Sequence, residues 1–292
     1  MTFPAVLLPL VTALLVALVV TAVHRRLPPV LASRVVTTTI VIVVAAAVPT
    51  FWILSLAFLT HLPLVGPAFG WCAAAMGVHH AEIPLWVGVP SVVVSLGGLP
   101  KLARTVRTFR NLRENGRGGV EVACDPQPFA FTLPGRAGQI VVSTGLLALL
   151  DEDEQEVVLA HERAHARHRH DRYLLTARLG ITAMPVLRPL VRRLQFSLER
   201  WADESAVAEC GDRSFVARTL GKVALHGAHP VGALGFTGLG VTARVGALLA
   251  PPVAAPRPPT MVMIWTSLTA AGLLAAVQLH HLVTLVTALC PG

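Results

Sequence analysis

Four long apolar stretches constrain the fold of this chain more than any other feature of its sequence. They cover about residues 3–23, 35–59, 83–99 and 261–286. About 20 apolar residues in a helix are enough to cross the roughly 30 Å hydrocarbon core of a bilayer. The third stretch is marginal, because Pro90 and a pair of glycines interrupt it. With 54% hydrophobic and only 14% charged residues, the composition predicts four transmembrane spans and a lipid bilayer as a partner.

The positions of the cations predict the orientation in the membrane. Residues 25–34 contain three arginines and residues 101–113 contain five cations, whereas residues 61–82 contain no Lys or Arg. Basic loops stay in the cytoplasm, so we expect an inner-membrane protein with its main domain in the cytoplasm and both termini outside. The first stretch has its positive charge after it, which favours a retained span over a cleaved signal peptide. The net charge of +8 is then mainly an orientation signal, and we expect no direct nucleic-acid binding.

These features divide the chain into four parts. We expect residues 1–113 to form three spans and a basic juxtamembrane helix, and residues 114–250 to form the cytoplasmic domain. A Pro-rich linker over residues 251–260 then leads into the fourth span and a short external C-terminus at 261–292.

Turn and periodicity signals predict the elements of the cytoplasmic domain. We expect strands at 120–123, 129–133 and 139–143, a helix at 152–170, a second helical region broken by Pro185 and Pro189 and ending at Cys210 and Gly211, and a helix at 214–226. The glycine-rich residues 232–246 show no clear pattern.

The predicted helix 152–170 contains a His-Glu-x-x-His motif at His161, Glu162 and His165. Residues four apart share one face of an α-helix, so the two imidazoles can occupy two corners of a tetrahedral zinc site. Glu162 then lies beside the open corner, where it can accept a proton from water. The acidic residues 151–154 resemble a helix N-terminus, which places the motif in mid-helix. The alternative is a basic, His-rich surface helix. We expect His168 and His170 to face solvent at the cationic end of the helix.

A third ligand is expected downstream on another helix. Glu199 and Asp203 are four residues apart, so both carboxylates share a helix face. Glu199 is the predicted metal ligand, and Asp203 is predicted to hydrogen-bond a ligand imidazole and fix its tautomer. The alternative is an ordinary solvated acidic face.

Together with the segment 142–147, these motifs resemble the integral-membrane gluzincin peptidases. The resemblance covers about residues 100–250 and is greatest to the β-lactam sensor-transducers that release antibiotic-resistance repressors. Heat-shock membrane proteases and CAAX-processing proteases share the metal pattern. The resemblance implies a predominantly α-helical chain, with an α+β zincin-like (minigluzincin) cytoplasmic domain on a four-helix transmembrane region. It also implies one Zn²⁺ per chain and a protein or peptide substrate, with a transcriptional repressor as one possibility. Because the sequence ends just past the fourth stretch, we expect no external sensor domain and do not carry over β-lactam sensing.

Several further residues are candidates for roles in the site or in the fold. The oxyanion of the reaction needs a donor besides zinc, for which Tyr173, His226 and Arg200 are the candidates. Topology places Cys72 and Cys290 outside the membrane, where a disulfide between them can form. The predicted function is a zinc-dependent membrane endopeptidase with a regulatory substrate. The alternatives are a housekeeping protease for membrane proteins and a non-catalytic, zinc-stabilised signalling scaffold.

Overall fold

A computed structural model of the chain describes residues 3–62, 83–114, 118–135, 138–226 and 240–287. The helices in these ranges are α1 (Phe3–Val23), α2 (Pro29–Thr60), α3 (Leu85–Glu114), α4 (Thr144–Leu149), α5 (Glu152–Arg167), α6 (His170–Ala183), α7 (Arg188–Cys210), α8 (Arg213–His226), α9 (Val241–Leu249) and α10 (Pro258–Thr287). Short 3₁₀ turns cover His24–Arg26 and Pro185–Leu187. The strands are β1 (Val120–Ala123), β2 (Ala130–Thr132) and β3 (Ile140–Ser143).

The four predicted apolar stretches lie in α1, α2, α3 and α10. Each of these helices is long and apolar enough to cross a membrane by length and composition. The interrupted third stretch forms one helix together with the basic segment after it, since α3 continues through Pro90 and Pro100 to Glu114. The chain is therefore predominantly helical with a small mixed sheet, as the sequence predicts.

Helix α2 is the central one of the four long apolar helices, and the domain that follows also packs against it. It packs against α1, α3 and α10, and against α6 and α7 of the domain. One buried apolar cluster runs through these elements and includes Ile40 of α2 and Leu194 of α7. At Gly180 of α6, a Cβ atom would lie 2.6 Å from the Ile40 side chain, so glycine permits the close approach of α6 to α2. The domain is thus packed directly on one of the four helices that are long and apolar enough to cross a membrane.

The sheet has the order β1-β3-β2, with β1 parallel and β2 antiparallel to β3. All four residues of the central strand are buried, as expected for a strand covered on both faces. The outer edge of β2 carries no strand among the described residues, and β2 packs against α5. The bounds of the three strands differ from the predicted ones by at most one residue.

Helix α5 begins where its capping signal predicts. Asp151 accepts a hydrogen bond from the backbone N–H of Glu154 at 2.8 Å, and Glu154 accepts one from the Asp151 N–H at 3.1 Å. The predicted continuation of this helix to His170 is wrong. The helix ends at Arg167, and Arg169 adopts a left-handed conformation with φ 55° before α6 begins at His170. A left-handed residue just after the last turn is a common way for a helix to end.

The later elements differ from the predictions at two prolines and a glycine-rich segment. Pro189 does not break the helical region but lies in the first turn of α7, where its missing N–H costs nothing. Helix α10 likewise begins at Pro258, inside the predicted linker. The part of the glycine-rich segment that is described is partly helical, because α9 covers Val241–Leu249. The predicted end of α7 is confirmed, with Gly211 in the left-handed region at φ 81°.

Candidate metal centre

Helix α5 places the two motif histidines on one face, one turn apart. Their Nε2 atoms lie 3.1 Å from each other, and the exposed fraction of the His161 side chain is only 4%. At this distance the lone pairs of two unprotonated imidazole nitrogens repel each other unless a proton or a metal ion lies between them. The spacing predicted from the sequence is therefore present.

Helix α7 packs against α5 and brings Glu199 to the same point. Glu199 Oε2 lies 3.5 Å from His161 Nε2, and Glu199 Oε1 lies 3.6 Å from His165 Nε2. One possible ligand atom from each of the three residues lies within 4.8 Å of the other two. Ligand atoms bound tetrahedrally to zinc at 2.0–2.1 Å are about 3.3 Å apart. Two nitrogens and one carboxylate oxygen at these separations fit a zinc ion.

Asp203 lies one turn further along α7, behind His161. Its Oδ1 atom is 3.1 Å from His161 Nδ1, so the carboxylate can accept the Nδ1 proton and leave Nε2 free to bind a metal. Burial alone lowers the pKa of His161, but hydrogen bonds to Asp203 and Glu199 outweigh burial and raise the pKa to about 9. Asp203 is thus placed as the sequence predicts.

Arg244 of α9 joins both carboxylates, and the sequence does not predict this. Its Nη1 atom lies 2.9 Å from Glu199 Oε2, and it donates from Nε and Nη2 to the two oxygens of Asp203 at 2.8 and 2.6 Å. Burial raises the pKa values of Glu199 and Asp203, but the charge of Arg244 outweighs it and holds both below their usual range. Arg244 lies in the segment for which no pattern is predicted, and no local signal identifies it.

Glu162 is buried beside the two histidines, with an exposed fraction of 2%. The hydroxyl of Thr132 in β2 lies 2.7 Å from Glu162 Oε2 and 3.0 Å from the Glu162 carbonyl oxygen. Since a hydroxyl has a single proton, it donates to one of these acceptors at a time. Thr132 therefore connects the strand next to the site with the predicted proton acceptor.

A cleft of about 290 Å³ opens in front of Glu162 and His165. Strand β2 and the turn after it form one wall, α6 forms another, and Phe109 of α3 also lines the cleft. Most of the lining is apolar and includes Phe131, Leu174 and Leu175. Asp171 and Arg178 are charged residues of the lining. The cleft therefore lies between Glu162 and α3, the helix that contains the third apolar stretch.

The prediction that His168 and His170 face solvent is wrong for His170, which is only 1% exposed. The left-handed turn at Arg169 folds the chain back, and His170 Nδ1 lies 2.8 Å from His165 Nδ1. His168 is half-buried and stacks on Trp201 at 4.7 Å. Burial and the neighbouring His165 lower the pKa of His170 to about 2, so this ring is neutral.

The three oxyanion candidates occupy different surroundings. Tyr173 packs edge-on against His170 and Trp201, and Arg200 lies over the ring of Phe196. His226 is exposed at the end of α8, where its ring contacts the carbonyl of Lys222. The role of oxyanion donor stays a prediction for each. Cys72 and Cys290 lie outside the described residues, so their pairing also stays a prediction.

Comparison with known proteins identifies relatives of part of this chain. Residues 114–187 match the family model described as Peptidase family M48. Over this segment the chain is similar to M48 peptidases. The match contains His161, Glu162 and His165 and ends before Glu199.

Two of the relatives give the extent of the similarity. "Protease HtpX homolog" of Streptococcus pneumoniae is 26% identical over 166 residues, which are 50% of this chain and 55% of the relative. The protein of the same name in Aeropyrum pernix is 37% identical over 68 residues, or 23% of this chain and 20% of the relative. The chain thus spans about half the length of the first curated relative. No solved structure matches it significantly.

These findings support the predicted relationship to membrane zinc peptidases. The narrower resemblance to the β-lactam sensor-transducers stays a prediction. M48 metalloproteases are zinc-dependent, and the donor set of His161, His165 and Glu199 suits that metal.

Proposed function

We propose that this protein is a membrane-bound zinc endopeptidase. The observation that carries the proposal is the convergence of His161, His165 and Glu199 with Glu162 buried beside them at the cleft. The two imidazoles and the Glu199 carboxylate would hold the ion. A bound zinc ion would polarise the scissile carbonyl and make water more acidic. A site that served only to stabilise the fold would have no use for a buried carboxylate next to it that does not ligate.

Each residue of the site would have a separate role in hydrolysis. Glu162 accepts a proton from the attacking water and later donates it to the leaving amine nitrogen. Thr132 holds the Glu162 carboxylate through its hydroxyl. Asp203 directs the Nε2 lone pair of His161 into the site by accepting the proton of Nδ1. Arg244 neutralises the two acidic residues of α7, so that both stay ionised although they are buried.

The outer edge of β2 suits an extended polypeptide. Residues 131–133 line the cleft next to Glu162, and among the described residues no strand pairs with this edge. A substrate segment that added a strand here would satisfy its backbone hydrogen bonds and run past the metal centre. The apolar lining of the cleft favours a large apolar substrate side chain next to the scissile bond.

We further propose that the domain lies in the cytoplasm, with four spans and both termini outside. The distribution of cations in the sequence supports this orientation. The substrate would then be a cytoplasmic or membrane protein that reaches the membrane surface. By its resemblance to the sensor-transducers, a repressor-type regulatory substrate is the form of this function that we favour.

Mapping protein N-termini across the proteome tests the proposal directly. Cells expressing the wild type are compared with cells expressing Glu162→Ala, which removes the proton acceptor and leaves the three proposed ligands in place. One or two cleavage sites that vanish in the variant, especially in a small DNA-binding protein, are the expected result. Many scattered sites in membrane proteins would instead indicate quality control. No difference between the two, with zinc bound to both, would overturn the peptidase function in favour of a scaffold.

A further inference from the structure

His170 meets a residue of the proposed metal centre through a nitrogen that a metal would not use. Its Nδ1 atom lies 2.8 Å from Nδ1 of His165, a normal hydrogen-bond distance. His165 directs its other nitrogen, Nε2, toward His161 and Glu199. The contact is therefore made behind His165, on the side away from the metal position.

Packing fixes the ring of His170 in this place. The ring lies 4.9 Å from that of Trp201 and 6.2 Å from that of Tyr173, between centroids. Trp201 lies on the same helix as Glu199, two residues away. The turn at Arg169, with its left-handed backbone, sets the position from which His170 points back. A straight continuation of α5 would point the side chain at position 170 elsewhere.

This contact determines which nitrogen of each ring carries the proton. Two Nδ1 atoms at hydrogen-bond distance share one proton between them. If His165 binds the metal through Nε2, its proton is on Nδ1, so His165 donates and His170 accepts. His170 then carries its own proton on Nε2, an atom that is buried and has no hydrogen-bond partner in the described parts of the chain. The opposite arrangement would put the proton of His165 on Nε2 and prevent metal binding there.

We infer that His170 is a positioning residue that holds His165 in the tautomer and orientation required for binding zinc. This inference rests on the proposed function and extends it to a residue outside the ligand set. The two ligand imidazoles are then held differently, His161 by the carboxylate of Asp203 and His165 by a neutral imidazole. Partners of this kind orient a ligand ring and raise its basicity.

Zinc affinity of the purified full chain in detergent, measured by competition with a chelator, tests the inference. Phe at position 170 keeps a ring but removes the acceptor, so His170→Phe should weaken zinc binding by about 10- to 100-fold. His170→Asn places an amide oxygen near the position of Nδ1 and should restore most of the affinity. His168→Phe is the matched control, because His168 lies at the same helix end and stacks on Trp201; it should leave the affinity within about threefold of wild type.

Two further measurements separate positioning from a general effect on the fold. In wild-type protein loaded with zinc, ¹⁵N shifts of the histidine rings should show His170 as the Nε2–H tautomer, and no variant is needed. Cobalt in place of zinc should give an altered visible spectrum in His170→Phe and a wild-type spectrum in His170→Asn.

The outcomes distinguish this inference from the proposed function. If wild-type protein bound no zinc, the proposed function itself would fail. If wild type bound zinc and His170→Phe bound it equally well, or if His170 were the Nδ1–H tautomer, only the role of His170 would be refuted. Should the Phe variant fail to fold, the ring-nitrogen shifts of the wild type decide the question.

Discussion

Arg244 donates two hydrogen bonds to Asp203, from Nε to Oδ2 at 2.8 Å and from Nη2 to Oδ1 at 2.6 Å. The same oxygen, Oδ1, lies 3.1 Å from His161 Nδ1. A chain of polar contacts therefore runs from α9 through α7 to the first motif histidine on α5. Every side chain in it is buried, so each contact acts with little screening by water.

Replacing Arg244 by Met should strongly destabilise the protein. Removal of one partner from a buried ion pair leaves the other charge uncompensated, at a cost of about 3–5 kcal/mol. The thermal unfolding temperature of the metal-free protein in detergent measures the loss. Arg167→Met is the control, because Arg167 pairs with Glu209 at the surface and is 56% exposed; such pairs contribute about 0–1 kcal/mol. Equal losses in the two variants would contradict the assigned role of Arg244.

The parts of the site that the sequence predicts are those encoded over short distances along the chain. One helical turn separates His161 from His165, and another separates Glu199 from Asp203, so helix geometry alone places each pair on one face. Arg244 lies 41 residues from Asp203, in a different helix. Only packing of α9 against α7 brings these two side chains together, and no local pattern encodes it.

The fold shows the same division between local and tertiary signals. The capping box at Asp151, the strands and Gly211 are predicted correctly because turn and cap residues act locally. The turn at Arg169 is not predicted, since left-handed conformations are expected at Gly or Asn and rarely at Arg. That turn buries His170, which composition alone would leave on a basic surface. Tertiary contacts with Trp201 and His165 outweigh the local preference.

Thr132→Val should slow hydrolysis without weakening zinc binding. The hydroxyl of Thr132 lies 2.7 Å from Glu162 Oε2, and without it the carboxylate is free to leave its position. We expect kcat to fall about tenfold, or about 1.4 kcal/mol in activation free energy, on any peptide that the wild type cleaves. Thr132→Ser keeps the hydroxyl and should retain most of the activity. Unchanged kcat in the Val variant would show that Glu162 is held by other contacts.

The stability of the metal-free protein should depend on pH through His161. Its pKa is raised from 6.5 to about 9, so the folded chain binds this proton more tightly than the unfolded chain does. The resulting stabilisation is fully present below pH 6.5 and is lost as the pH rises through about 9. Asp203 has a lowered pKa and acts in the opposite sense, contributing stability above its ordinary pKa that is lost as the pH falls.

Unfolding temperatures measured from pH 6 to about pH 10, with chelator and with zinc, check this dependence. The alkaline loss should disappear in zinc-loaded protein, because the metal replaces the proton on Nε2. His161→Gln should remove the alkaline loss from the metal-free protein as well. The interpretation is wrong if metal-free and zinc-loaded protein lose stability in parallel.

The lining of the cleft predicts which substrate side chain the proposed peptidase accepts. The cavity has a volume of about 290 Å³ and apolar walls that include Phe109, Phe131 and Leu175. Transfer of a large apolar side chain from water into such a cavity is favourable, and each additional methylene is worth about 1 kcal/mol. Cleavage of a peptide library should therefore show a preference for Leu, Met or Phe at one position next to the scissile bond.

Leu175→Trp narrows this cavity from the side of α6 and should invert the preference. Because the larger ring occupies the space of the substrate side chain, the ratio of kcat/KM for large over small residues should fall by about tenfold or more. Val186→Trp, at a side chain that is 65% exposed, should leave the ratio unchanged, and Glu162 and the three proposed ligands are intact in both variants. A library profile that Leu175→Trp did not alter would mean that the substrate side chain binds elsewhere, although hydrolysis itself would still require Glu162.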